Sequence, residues 1–467
     1  PRSTPLYSSA ASDVYKRQLS DINKWVKQFY ASGFSIEKAS SDASFRSYYR
    51  IISQGETKIL MDAPPKQEPI ASFLDVTKRL AAANLNVPII YEKDELKGYI
   101  LMSDLGTKNY LDALNNETVY CLYTDAIDAL CQIQNEVKVY KIVYESLGTD
   151  GEPTQLSGAI YVPQLDEDKP LPILKTSHYT ITKRDAVASV SPNVSPQSIL
   201  GSMQGYFSIY ADGIGYGVSV TQASYVNKQA SAIAGVDLLR ASKEFACEND
   251  IKLNDQLFTT GYSAGGYGTM AFHQVVDEDY SDEFTITANA PLAGPYALDQ
   301  MALRIFSNGV YSQPYYLGFA LWGYILATGD NDALNRWVNH KYKDAIFNMY
   351  NGEFSGGQIN DALNDTMSVL LDAKFLDDFL GDGEIEFKQY LKDNSFIYGD
   401  WKPNAPIHFM HGSDDETVFH FLMKVGVDGL KGNGATNIQS TSYPGDHGSA
   451  AAACMINSIK WFNTMKQ

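Results

Sequence analysis

The chain is 467 residues long, 44% hydrophobic and 20% charged, which is enough for two or three domains that each bury an ordinary core. Its formal net charge of −18 argues against a nucleic-acid or anionic-membrane surface as main partner. That charge is uneven: residues 1–136 hold 17 acidic and 15 basic side chains, and 137–467 hold 38 and 22, a step that points to segments of different origin. Cys121, Cys131, Cys247 and Cys454 lack metal-ligand spacing and are too few for a disulfide scaffold, so unlinked thiols are expected. The longest apolar run, Tyr315 to Ala327, is shorter than the ~20 residues that span a bilayer. No secretory signal is visible at the start, and as written the chain is expected to stay in the cytoplasm.

Residues 1–18 have no apolar period; they are read as a disordered leader of artefactual origin, similar to translated adaptor sequence, and set aside. Leu19 to Phe29 has helical spacing through Ile22, Trp25, Val26 and Phe29. Strands are expected over Phe45–Ile52 and Lys58–Met61 with a turn at Gly55, and extended segments over Val87–Tyr91 and Tyr99–Met102. Helices are expected over Glu68–Ala83 and Thr118–Gln134. The sum is a small α+β lobe of the kinase N-terminal type, spanning 19–136.

The residues themselves are more specific. Ala39-Ser40-Ser41-Asp42-Ala43-Ser44-Phe45-Arg46, Met61-Asp62-Ala63-Pro64-Pro65 and Leu101-Met102-Ser103-Asp104-Leu105-Gly106 resemble the opening of aminoglycoside-phosphotransferase-family kinases, nearest those acting on amino sugars such as N-acetylmuramate. The resemblance implies a nucleotide-phosphate loop at Ser40–Arg46 and a hinge at Leu101–Leu105. It stops near 135, and no His-x-Asp-x-x-x-x-Asn follows to supply the catalytic acid and metal ligand of a phosphotransferase. A truncated, inactive lobe is expected, and a sugar kinase is the rival reading from another class.

From Val137 the character changes. Strands are expected over Val137–Glu145, Leu156–Val162, Pro172–Lys175, Gly205–Ala211, Leu257–Gly261, Phe284–Ala290, Ile407–Met410 and Ile438–Tyr443. Helices are expected over Gln229–Glu248, after Ser263, through Leu298–Asp393 and over Ala450–Met465. This alternation predicts a doubly wound, mostly parallel α/β sheet over 137–467, covered on both faces. About a hundred aromatic-rich residues, roughly 298–400, exceed what one crossover needs and predict a helical cap. Tyr311, Tyr315, Tyr316, Phe319, Trp322, Tyr324, Trp337, Tyr342, Phe347 and Tyr350 are shared there between a cap core and a pocket wall.

Gly261-Tyr262-Ser263-Ala264-Gly265 stands between the apolar run ending at Thr260 and a helix-compatible segment. A serine on a sharp strand-to-helix turn holds its Oγ clear of the backbone, and glycines flank it where a side chain would strike the neighbouring elements. The pentapeptide alone arises by chance in roughly one chain in seven of this length, so its surroundings decide. A nucleophilic serine needs a base and the base an orienting acid. Only seven histidines exist: 178, 273, 340, 408, 411, 420 and 447. His411-Gly412-Ser413-Asp414-Asp415 follows an apolar strand, where the acid belongs, leaving His420 and His447 as bases in chain order. His447, in the Pro444–Ser449 loop between the last strand and last helix, is the better placed. The oxyanion donors expected are the amide of Ala264 and one from the loop His178-Tyr179-Thr180.

Residues 137–467 resemble α/β-hydrolase-fold esterases and lipases of the secreted-lipase-like branch. The likeness runs through Gly205–Gly217, Gly261–Gly266, Ala293-Gly294-Pro295-Tyr296, Asp400-Trp401-Lys402-Pro403 and the His447 loop. It implies Asp415 rather than Asp414 as the acid, from His-Gly-x-x-Asp-x-x-Val. Tyr179 departs from the family's His-Gly at the oxyanion loop, and Phe419 stands where Pro is common. The function implied is a serine hydrolase of carboxylic esters using Ser263, His447 and Asp415 on a small-molecule ester, with no cofactor, metal or nucleic acid. The branch is usually exported. A prolyl-oligopeptidase-like peptidase is the enzymatic alternative, although 1–136 show no propeller repeats. Two unrelated resemblances in one chain imply a chimera.

Overall fold

A computed structural model describes residues 19–30, 33–41, 46–65, 69–82, 85–107, 137–165 and 169–467. The leader over 1–18, the centre of the Ser40–Arg46 loop, the helix expected over Thr118–Gln134, and Cys121 and Cys131 lie outside the described residues. The chain divides into two compact units, Pro1–Ile133 and Gln134–Gln467.

The first unit opens with a helix over 19–26 and builds a five-stranded sheet. Its strands are β1 (Ser35–Ser41), β2 (Ser47–Ser53), β3 (Glu56–Asp62), β4 (Ile90–Asp94) and β5 (Tyr99–Ser103), in the order β1-β2-β3-β5-β4, each pair antiparallel. The two-residue side-chain period sends Leu60 and Leu101 to one face, against Ile22, Trp25 and Val26. Met61 and Ile100 go to the other face, against Ile70 and the helix Ala71–Ala82. The strand β1 escaped the sequence reading because Ser-Ile-Glu-Lys-Ala-Ser-Ser is too polar to look like one. It forms as an edge strand on β2, and Ser40 and Ser41, assigned to a phosphate loop, pair with Tyr48 and Ser47.

The second unit is an eight-stranded sheet ordered β13-β12-β11-β10-β8-β9-β7-β6. These strands are β6 (Val137–Leu147), β7 (Pro153–Pro163), β8 (Leu171–Ser177), β9 (Phe207–Ala211), β10 (Leu253–Tyr262), β11 (Ala288–Leu292), β12 (Ile407–Gly412) and β13 (Ile438–Tyr443). Every neighbouring pair from β9 to β13 is parallel, and β6 and β7 add an antiparallel edge. Helices Lys228–Glu248 and Ala264–Asp279 cover one face over Ile173, Phe207 and Leu257. Helices Pro196–Met203 and Ala451–Asn463 cover the other over Leu174, Phe258 and Met410. Burial on both faces is why the central strands read as apolar runs.

One expected strand is displaced, one helical stretch is subdivided, and one helix was not anticipated. The strand expected over Phe284–Ala290 forms at Ala288–Leu292; Phe284 and Ile286 are apolar because they are buried before the ladder begins. The single stretch Leu298–Asp393 is eight helices from Leu298–Asn308 to Ile385–Asp393, and Gly309 and Gly329 end the first two in the left-handed conformation. Helix Pro196–Met203 was not anticipated; Ser195 caps it through the amide of Ser198.

The turn from β10 into Ala264–Asp279 rests on close backbone approach. A Cβ on Gly261 would sit 2.4 Å from the Gly265 carbonyl oxygen, and one on Gly265 would sit 2.3 Å from that of Ser177. Gly265→Ala must push the helix off β8, an overpacking cost of about 1–3 kcal/mol, which lowers the melting temperature by roughly 2–4 °C per kcal/mol. Gly357→Ala, in a helix with open space around it, is expected to leave the transition unchanged or raise it. Scanning calorimetry reads both; equal falls would contradict the packing account.

Candidate active site

Ser263 joins the end of β10 to its following helix with φ 60° and ψ −121°, a conformation costly for a residue with a Cβ. Its amide is held by the Leu292 carbonyl of β11 at 2.9 Å, which anchors the turn. Asp415 sits in the loop after β12, and His447 in the loop after β13, so all three residues stand at the carboxyl ends of parallel strands, with β11 between β10 and β12. Asp446 accepts from the amides of Gly448 (3.1 Å) and Ser449 (2.8 Å), fixing the loop that carries the imidazole.

The structure brings these side chains together. His447 Nε2 lies 2.9 Å from Ser263 Oγ, and His447 Nδ1 lies 2.6 Å from Asp415 Oδ2. A carboxylate only accepts, so the ring proton sits on Nδ1 and leaves Nε2 free to accept from the serine hydroxyl. Asp415 Oδ1 takes the amides of Thr417 and Val418, both at 2.9 Å. Asp414 instead accepts from the Gly445 amide at 3.2 Å, as a turn residue would, and His420 bonds Ser442 Oγ at 2.8 Å.

Two participants were not singled out from the sequence. His411, fully buried, places Nε2 3.0 Å from Asp415 Oδ2 and 2.8 Å from the Val418 carbonyl. Both partners are acceptors, so its proton is on Nε2 and it donates to the same carboxylate oxygen as His447. Tyr262, the variable residue before Ser263, donates its hydroxyl to the His447 carbonyl at 2.6 Å. Burial pushes the Asp415 carboxyl up, but the bonds from His411 and His447 outweigh it and hold the group at about 2.

Of the expected oxyanion residues, Ala264 is the first residue of the helix, where the amides point outward. Tyr179 is 42% exposed, and its carbonyl meets Nδ1 of His178 at 2.8 Å. His178 packs edge-on against Tyr216, 5.3 Å between ring centres. Beneath it the buried Asp212 accepts from Ser157 Oγ at 2.6 Å and the Ser189 amide at 3.3 Å, which ties the 211–217 loop to β7.

Ser263 opens onto an apolar cleft walled by Met301, Ile305, Tyr316, Leu317, Leu391 and Val418. Among the cap aromatics, Tyr316 lines this cleft, Tyr324 and Trp337 are packed in the cap core with Phe387, and Phe347 is 60% exposed.

Comparison with known proteins divides the chain in the same way. Two of the structural neighbours of this chain are the rice cell wall degrading esterase LipA from Xanthomonas oryzae and Candida antarctica lipase A. The first has a TM-score of 0.62 at 23% identity, covering 72% of this chain and 92% of the other. The second has a TM-score of 0.54 at 18% identity, covering 70% and 77%. The second unit has the α/β-hydrolase fold. At these identities the likeness establishes the fold alone. The Phosphotransferase enzyme family matches residues 35–137. An N-acetylmuramate/N-acetylglucosamine kinase of Pseudomonas putida is 45% identical over 100 residues, which are 21% of this chain and 30% of that protein. The chain therefore spans about a third of the length of the curated relatives it matches. Its two parts resemble unrelated proteins, as expected for a chimera.

Among the described residues no group of three or more His, Cys, Asp or Glu is arranged to hold a metal, and no helix is long and apolar enough to cross a membrane. Cys247 and Cys454 are unlinked.

The low pKa of Asp415 ties stability to pH. Its carboxyl titrates near 2 when folded and near ~3.9 when unfolded, so its contribution is complete above about 4 and is lost as pH falls toward 2. Asp415→Asn does not titrate, and its urea midpoint is expected to fall less steeply than that of the wild type between pH 4 and 2. Parallel slopes would show that the carboxylate is not held by these donors.

Proposed function

We infer that the second unit is a serine hydrolase that cleaves carboxylic esters. Ser263 Oγ attacks the ester carbonyl while His447 Nε2 takes its proton, and Asp415 holds the resulting imidazolium. The tetrahedral oxyanion is met by the Ala264 amide and by a donor from the loop around His178 and Tyr179. Collapse expels the alkoxide, which receives its proton from His447 and leaves Ser263 acylated. Water, deprotonated by His447, then releases the acid and restores the serine.

The observation that carries this reading is the unbroken chain of bonds from Ser263 Oγ through His447 to Asp415 at 2.9 and 2.6 Å, with the strained backbone at 263 and the apolar cleft above it. The esterase and lipase among the structural neighbours lend support to ester over amide cleavage. The cleft's apolar wall suits an apolar acyl group. The phosphotransferase-like segment contributes nothing to this chemistry in our reading.

A panel of p-nitrophenyl esters set against aminoacyl-naphthylamides tests the assignment. Esters are expected to turn over, and Ser263→Ala and His447→Ala each to lower kcat by roughly 10⁴–10⁶-fold. Residues 137–467 expressed alone are expected to retain full esterase activity. Turnover of amides only, or an inactive fragment, would overturn the reading.

A further inference from the structure

The apolar cleft above Ser263 adjoins a second cleft of different character. The two share Tyr225, Val226 and Ala264 as a common wall. The remaining wall of the second is set by Lys175, Ser177 and His178 at the end of β8, by Ser224 and Ser231, and by Gly268 of the helix after Ser263. This cleft adds an ammonium and hydroxyls to an otherwise largely apolar lining that includes Ile214, Tyr216 and Tyr267.

Lys175 is the unusual member. It is 2% exposed, on the strand face it shares with Leu171 and Ile173. One of its three N–H donors goes to Ser177 Oγ at 2.6 Å, and the ammonium rides over the Phe272 ring at 4.8 Å. Among the described residues no carboxylate lies within ion-pair distance of it. Ser224 adds a buried hydroxyl oxygen that has no hydrogen-bond partner. A buried cation with donors to spare is costly unless an anion joins it; burial alone draws Lys175 down to about 7. Lys175 and Ser224 line the same cleft, and an anion is the ligand that a spare ammonium donor and an unpartnered hydroxyl suit.

Building on the serine-hydrolase reading, we propose that this cleft receives a carboxylate carried on one arm of the ester substrate, and that Lys175 selects for it. The carbonyl then sits at Ala264, where the clefts meet, with the neutral arm among the cap residues and the anionic arm reaching Lys175. The preferred substrate is an ester with one apolar and one acidic side.

Two matched pairs of esters identify the arm that bears the acid. p-Nitrophenyl hexanoate and the p-nitrophenyl monoester of adipic acid differ by a carboxylate on the acyl side. Phenyl hexanoate and 4-carboxyphenyl hexanoate differ by one on the alcohol side. The anionic member of one pair is expected to be favoured by about tenfold or more in kcat/KM, the range a charge-assisted pair supports. In Lys175→Met that ratio is expected to fall to about one. Ser224→Ala, off the strand, is expected to lower the same ratio two- to threefold and provides a second reading should Lys175→Met disturb folding. No anionic preference in either pair, or a preference that survives both variants, overturns the proposal. If even the neutral esters are not cut, the hydrolase reading fails separately. Calorimetric titration of the full chain carrying Ser263→Ala with monomethyl adipate and methyl hexanoate still decides the cleft: tighter binding of monomethyl adipate, lost on adding Lys175→Met, supports it, and equal binding refutes it.

Discussion

Four donors converge on the carboxylate of Asp415: two backbone amides on one oxygen and two imidazoles on the other. A carboxylate this buried is tolerated only when its lone pairs are filled. Satisfying it forces the loops after β12 and β13 into one arrangement, and that arrangement puts His447 Nε2 beside Ser263. The Tyr262 hydroxyl holds the same loop from below. Removing any one of these contacts loosens the geometry on which the proposed proton transfer rests.

The sheet explains why such a cluster can form. Parallel strands deliver their carboxyl ends to one edge, so residues from β10, β12 and β13, far apart in sequence, meet without long excursions of chain. The glycines at 261 and 265 let the helix after Ser263 settle against β8, which brings the start of that helix near the 178–179 loop. The helices over 298–393 gather aromatics around Trp337, Phe375 and Phe387 in a core continuous with Tyr296 and Phe409, and Phe387, Tyr316 and Leu391 face the cleft. The first unit has its own core and its own relatives. Its match ends at 137, where the first strand of the second unit begins, and the charge balance changes at the same place.

Much of this was legible in the residues. Seven histidines and a fixed chain order left few ways to build a serine-based site, and periodicity located most strands. What stayed hidden was long-range or local in ways a pattern does not carry. His411 reads as part of an apolar strand end; its bond to Asp415 exists because the loop folds back on itself. Lys175 reads as the end of a strand, and its burial follows from two helices packing over it. The polar edge strand β1 has no amphipathic signature, and the run Phe284–Ile286 is apolar for packing rather than pairing. Glycine caps at 309 and 329 end the first two helices of the long stretch, because a left-handed residue ends a helix whatever the hydrophobic pattern does next.

The central claim is that the hydroxyl of Ser263 is activated by the imidazole of His447. Covalent labelling with a fluorophosphonate, followed by mass spectrometry of the digested chain, tests it without any knowledge of the natural substrate. The account predicts a single adduct on the peptide containing Ser263, formed rapidly by the wild type and lost in His447→Ala. Labelling at another serine, or labelling of Ser263 that is indifferent to His447, would contradict it.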